Sequence, residues 1–543
     1  MFSTPPYSTS YAGKDTERDE IIAVMERWAK VPRSRSPAII ASQSRTLTMK
    51  DQQKPGAIRF VDTTLRDGHL SLWASNMRTG MMLPIAERLD CAGFEAIEVM
   101  SSAFFKKCVR DLKEDPWERV RLLKRRMKTT PLRSIRSRSM LAFQITPSAV
   151  ADLWLERLAA NGIDELRTSD PSNTPFYWKQ AVDAAKRAGL KTILNVIYSI
   201  SPKHTDEYFV ARAREAAKLD VARICFKDPG GLLTPETTRR LAPLILREAK
   251  DKPVEFHTHC NTGLGALCCL EAIKLGITSI NTAIPPLADG SSNPSIFNVA
   301  MNARSLGYLT NVDEDLIKPV RDHFTAIAKQ NNLPMGKPLE YDAYHSLHQV
   351  PGGMISNFRF QLANLGKLDQ LPAVLEEVSR VRAEFGYPIM VTPYSQFFGV
   401  QAAINVMVGA RYKEVTDEVL LYALGFWGEE EARSIEPNLR DRLVNNPRAK
   451  ELVANQSPDI TLKKFRQKFG GASVTDDDKM LHYFAGAEAV AAMRAAGAPQ
   501  RYVPTAAPLV TLIEQISKRK TPVHLYIKRN GFTLRVERRQ SVR

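Results

Sequence analysis

From residue 58 onward the chain alternates short apolar runs with longer stretches of helical period. The strand-length runs are "AIRFVDTT" (57–64), "FEAIEVM" (94–100), "SMLAFQI" (139–145) and "IDELRTS" (163–169). They continue with "KTILNVIYS" (191–199), "VARICFKD" (221–228), "PVEFHTH" (253–259) and "TSINTAI" (278–284). Amphipathic stretches such as "TPFYWKQAVDAAKRAGL" (174–190) and "TDEYFVARAREAAKLD" (205–220) lie between them, with the spacing of crossover helices in a parallel sheet. Eight such units within about 230 residues predict an α/β fold, a (β/α)8 TIM barrel. A doubly wound open sheet is the structural rival, but no glycine-rich phosphate loop follows the first strand.

After about residue 310 the pattern turns mainly helical, through "VDEDLIKPVRDHFTAIAKQNN" and "LPAVLEEVSRVRAEFG". Near the end, Asn530-Gly531 separates two alternating runs, the signature of a β-hairpin. The N-terminal 55 residues are polar and interrupted by Pro5, Pro6, Pro32 and Pro37, with one candidate helix at 16–30. The expected organisation is an N-terminal extension (1–55), the barrel (56–315), a mainly helical domain (316–490) and a basic tail with the hairpin (491–543).

Composition narrows the class. The chain has 543 residues, 44% hydrophobic and 25% charged, as in soluble globular proteins. No apolar run is long enough for a membrane span. The N-terminus lacks the pattern of a secretory signal, and Asp15, Glu17, Asp19 and Glu20 argue against a transit peptide. Six cysteines without a CxxC pair fit reduced thiols, so a cytoplasmic location is expected. The net charge of +17 first suggests nucleic acid. However, thirteen Lys/Arg against four acids in 106–138, and ten against two in 501–543, account for all of it. Neither cluster carries a nucleic-acid motif, so solvated basic faces are expected and no nucleic acid partner.

In such barrels the chemistry sits at the C-terminal ends of the strands. There the first strand brings Asp62, Arg66, Asp67 and His69, the sixth Lys227 and Asp228, and the seventh His257 and His259. Alternate strand residues share a face, so both imidazoles point the same way. With a carboxylate nearby they suit Zn²⁺ or Mn²⁺, although histidines in such a pair also serve as ordinary core residues. Lys227 ends an apolar run, where an unpaired ammonium is costly. A salt bridge to Asp67 or Asp228, a Schiff base, or a lysine carboxylated by CO₂ to become an anionic ligand each accounts for it. Arg66 and Arg136 are candidates for holding a carboxylate.

The motifs "DTTLRDGHLSL", "EDPWERVRLL", "FKDPGGLLTP", "HTHCNTG", "VPGGMISN" and "VTPYSQFFGVQAAINVM" together resemble one family. It is the carboxyltransferase of biotin-dependent 2-oxoacid enzymes: pyruvate carboxylase, the oxaloacetate decarboxylase alpha chain and the transcarboxylase 5S subunit. The resemblance runs in order from about 58 to 425 and more faintly to about 490. It implies a divalent metal (Zn²⁺, Mn²⁺ or Co²⁺) held by Asp67, carboxylated Lys227, His257 and His259. It also implies an oxoacid held by Arg66 and Arg136, and a Ser356 hydroxyl that carries a proton to or from biotin N1. A homodimer within a larger complex is a further family expectation. No Ala-Met-Lys-Met biotinylation motif and no ATP-grasp domain is found. The expected partners are therefore a separate biotinylated carrier protein and a biotin carboxylase subunit.

The sequence departs from that family around the substrate. Leu70 stands where the family has glutamine, Lys106 where it has aspartate, Met100 for tryptophan and Phe143 for tyrosine. Two readings follow: an altered substrate with an apolar part near Leu70 and Phe143 and an extra anionic group near Lys106, or a non-catalytic assembly subunit that keeps its metal. The barrel motifs alone also fit a biotin-independent lyase or condensing enzyme.

Overall fold

The computed structural model describes residues 57–140, 145–455, 459–500, 502, 523–529 and 532–538. The N-terminal extension with its candidate helix, Phe143 and the Asn530-Gly531 turn lie outside the described residues.

Eight parallel strands close into a barrel: β1 (Arg59–Asp62), β2 (Ala96–Ser101), β3 (Leu132–Arg136), β4 (Glu165–Thr168), β5 (Lys191–Ile197), β6 (Arg223–Asp228), β7 (Val254–Thr258) and β8 (Ser279–Thr282). Strand β8 returns to β1 in the register Arg59↔Ser279 to Asp62↔Thr282. Helices begin where the sequence offers a cap followed by proline. Asp115 accepts from the Trp117 N–H ahead of Pro116–Arg126, and Thr234 accepts from the Thr237 N–H ahead of Pro235–Ala249.

The third strand is not 139–145. It is Leu132–Arg136, inside the basic segment expected to be a solvated face. Arg133 and Arg119 are fully buried there. The reason is visible in the pairing: Arg133 turns inward, donating to Glu165 at 2.8 Å and to Glu255 at 2.8 Å. Inside the closed barrel Glu98, Arg133, Arg167 and Glu255 compensate one another. The apolar residues between them, such as Ile97, Leu166 and Phe256, pack outward against the helices.

Beyond the barrel, a second core forms around Phe385, Phe398, Tyr394, Tyr422 and Trp427. Its helices include Gly352–Asn364, Leu371–Glu384 and Tyr394–Val408. The helix Asp476–Ala485, which the "DDDKM" stretch opens, packs back on the barrel, with Phe484 4.6 Å from the Phe105 ring. Arg138 ties the two cores together. It lies over the Tyr177 ring and donates to the Trp427 carbonyl at 2.6 Å. At the far end, β9 (Val523–Arg529) and β10 (Phe532–Arg538) form the expected antiparallel pair. No helix among the described residues is long and apolar enough to cross a membrane.

Candidate metal centre and substrate site

The first strand ends in a tight helical turn, Thr64–Gly68, that carries Arg66 and Asp67 over the barrel mouth. Strand β7 delivers His257 and, one residue past its end, His259. The three ligand-bearing groups Asp67, His257 and His259 converge, all buried, with donor atoms within 4.8 Å of one another. Asp67 Oδ2 lies 3.3 Å from His257 Nε2 and 3.3 Å from His259 Nε2.

The other ring nitrogens are already engaged. His257 Nδ1 meets the Asn281 side-chain oxygen at 2.8 Å, and His259 Nδ1 meets the Ser291 carbonyl at 2.7 Å. Both acceptors call for an N–H on Nδ1, which leaves each Nε2 with its lone pair toward the carboxylate, that of His257 also 3.3 Å from Asn293 Nδ2. Asp67 Oδ2 accepts no hydrogen bond. Burial alone would raise the Asp67 carboxyl, but the Arg66 guanidinium at 3.1 Å holds it well below the usual range. Burial pushes His257 down to about 3, so it is neutral. One anionic oxygen and two lone pairs facing one point repel each other unless a cation lies between them. Bonds of about 2.0–2.2 Å to a tetrahedral ion place ligand atoms about 3.3–3.6 Å apart, so the residues fit a divalent metal.

Lys227 stands beside His257 in the β6–β7 register and is buried. Among the described residues it makes no ion pair. Asp228, its expected salt-bridge alternative, instead accepts the Leu232 and Leu233 N–H groups at 2.9 Å each. Burial, then the nearby Arg66 charge, push Lys227 down to about 8, against the opposing pull of Asp67.

Arg66 donates from Nε to Glu98 at 2.8 Å, and its Nη2 pairs with both Glu98 and Asp67. Its Nη1 has no hydrogen bond to the described residues. His69 stays out of the cluster, packed edge-on against Phe104 at 5.2 Å. Leu70 is 39% exposed on the short helix His69–Leu72. Lys106 is half-buried on the helix Ser102–Arg110 and has no ion pair among the described residues. Ser356 falls within the helix Gly352–Asn364, its side chain outside what is described.

Arg136 does not join the cluster. It ends β3 on the side opposite to Arg133, facing Asp152. There it lines a cavity of about 1390 Å³ together with Tyr177 and Trp427. The sequence reading missed Glu98, Arg167, Glu255 and Asn281, which surround His257 and Arg66. The signal was present as charged residues two apart in "IDELRTS" and "PVEFHTH".

The chain is similar to known proteins over most of its length. A family described as "Conserved carboxylase domain" matches residues 346–530, and one described as "HMGL-like" matches 170–323. A pyruvate carboxylase subunit of Methanocaldococcus jannaschii is 38% identical over 391 residues, spanning 72% of this chain and 68% of that protein. The methylmalonyl-CoA carboxyltransferase 5S subunit of Propionibacterium freudenreichii subsp. shermanii is 34% identical over 381 residues, spanning 70% and 75%. Among solved structures, the carboxyl transferase domain of Rhizobium etli pyruvate carboxylase (Y628A, with pyruvate) superposes with a TM-score of 0.75 at 23% identity. It covers 89% of this chain and 84% of that one.

Proposed function

This chain belongs to the carboxyltransferase family of biotin-dependent enzymes, and we propose that it moves CO₂ between carboxybiotin on a separate carrier protein and a 2-oxoacid or related acid. Asp67, His257 and His259, completed by a carboxylated Lys227, would hold a divalent ion. When bound, that ion supplies Lewis-acid chemistry toward the keto oxygen of the substrate. Arg66 Nη1 holds the substrate carboxylate, while Glu98 fixes the plane of the guanidinium. The Ser356 hydroxyl carries a proton to or from biotin N1 as the N–CO₂ bond breaks or forms. Leu70 presents apolar surface three residues from Asp67, which supports a substrate with an apolar part there. A biotin carboxylase, and a second copy of this chain, complete the proposed assembly.

The observation that carries this reading is Asp67 Oδ2 set 3.3 Å from two imidazole nitrogens without a hydrogen bond of its own. The test incubates the chain with a labelled carboxybiotin carrier and a panel of 2-oxoacids. Carrier-dependent transfer, lost on chelation, is expected. Turnover of a panel acid with no biotin protein present would instead establish the lyase or condensing reading.

Carboxylation of Lys227 joins its free amine to CO₂ as a carbamate and releases one proton. An amine at about 8 is about half uncharged at pH 8, whereas an ordinary lysine near 10.5 is almost wholly protonated. Metal loading is therefore expected to weaken as pH falls below about 8, and added bicarbonate should restore part of it. Lys227→Met should abolish both the pH dependence and the bicarbonate effect. Metal content measured across pH 6–9 checks this, and a flat profile in the parent chain counts against the carbamate.

A further inference from the structure

We infer that Asn281 is the positioning residue that selects the tautomer of His257, and so decides whether the barrel mouth can take a metal. The inference rests on the metal reading above and goes beyond its ligand set. Asn281 lies on β8, fully buried below the ligands. Its side-chain oxygen faces His257 Nδ1 at 2.8 Å, and its Nδ2 donates to Glu255 at 2.8 Å. Arg167 Nη2 also donates to the Asn281 oxygen and pairs with Glu255.

These charges fix which way the amide points. A flip would set the amide oxygen against the Glu255 carboxylate and the NH₂ against the Arg167 guanidinium, two repulsions in a site closed to water. With the oxygen held toward the ring, Nδ1 must carry the proton and Nε2 keeps the lone pair a metal needs.

A competitor stands beside it. Arg167 Nη1 lies 3.2 Å from the same Nδ1 and can only donate. Without the Asn281 acceptor, this guanidinium favours an unprotonated Nδ1. The proton then moves to Nε2, and His257 ceases to be a ligand. In the native arrangement Arg167 Nη1 is also ion-paired with Glu98 at 2.9 Å. Glu255, two residues before His257 on β7, thus acts on the metal site through Asn281 on β8.

The test compares the full chain with Asn281→Leu, which keeps the volume but removes the acceptor. Zn²⁺ affinity is read by competition with a chelator. The ¹⁵N shifts of the His257 ring report the tautomer directly, assigned by the signals missing in His257→Gln. Asn281→Leu should lose about 10–100-fold in Zn²⁺ affinity and show an Nε2–H ring. Unchanged affinity in folded Asn281→Leu, or an Nε2–H ring in the metal-free parent, overturns the inference. If Asn281→Leu fails to fold, the parent's ring shifts still decide. A parent chain with no Zn²⁺ affinity sinks the metal reading instead, and the tautomer of the metal-free ring then judges Asn281 separately.

Discussion

His259→Ala is expected to lower carboxyl transfer by about 10³-fold or more, with the protein still folded. The size follows from what the side chain supplies. A bound cation is worth several kcal/mol to charge developing on a carbonyl oxygen, and each 1.4 kcal/mol is tenfold in rate. His259 is one of three convergent donors among the described residues, so its loss leaves Asp67 and His257 as the remaining pair. The fold should tolerate the change because His259 lies just past the end of β7, and the Ser291 carbonyl it leaves behind is close to solvent. His257 is a poorer choice for this test. Fully buried, it contacts Arg167, Asn281 and Asn293, so its removal disturbs the barrel interior as well as the ligand set. Metal content, transfer rate and thermal midpoint should be measured together on His259→Ala. Unchanged transfer in a metal-depleted, folded protein would establish that the histidine pair is structural. Parent protein that binds metal yet shows no transfer with any carrier would favour the assembly-subunit reading suggested by Leu70 and Lys106.

How much of this the chain disclosed depended on whether local pattern and burial agreed. In β5 to β8 the apolar runs matched observed strands, because residues facing the helices there are Val, Ile, Leu and Phe. The paired imidazoles were legible for the same reason, since residues two apart on a strand share a face whatever surrounds them. Strand β3 was hidden. "LRSIR" is rich in positive charge, and only partners from β4 and β7, more than thirty residues away in sequence, make burial of Arg133 tolerable. The same distance concealed Asn281, an ordinary polar strand residue until Glu255 and Arg167 are set beside it. Arg136 lies away from the cluster. It matched a family position, yet the alternation that sends Arg133 inward sends Arg136 toward Asp152.

Glu98→Gln is expected to cost about 3–5 kcal/mol of stability, the range for breaking a buried ion pair by removing one partner. Glu98 is fully buried and meets Arg66 and Arg167 directly, with Arg133 at 3.8 Å. The amide keeps the shape and one acceptor but removes the negative charge, leaving Arg66 to Asp67 alone and crowding two guanidinium groups around Glu255. Burial by itself would raise the Glu98 carboxyl. Arg167, Arg66 and Arg133 overcome it and bring the group from 4.5 down to about 2. At 1.36 kcal/mol per tenfold, that depression corresponds to about 3 kcal/mol, in line with the mutational range. The sign follows: a carboxyl depressed on folding contributes fully above its unfolded value of 4.5 and loses that contribution as pH falls toward 2. Urea unfolding of the parent should therefore weaken between pH 4.5 and 2 more steeply than that of Glu98→Gln, and the two curves should converge at the acid end. Curves that stay parallel would mean that the arginines find their compensation elsewhere.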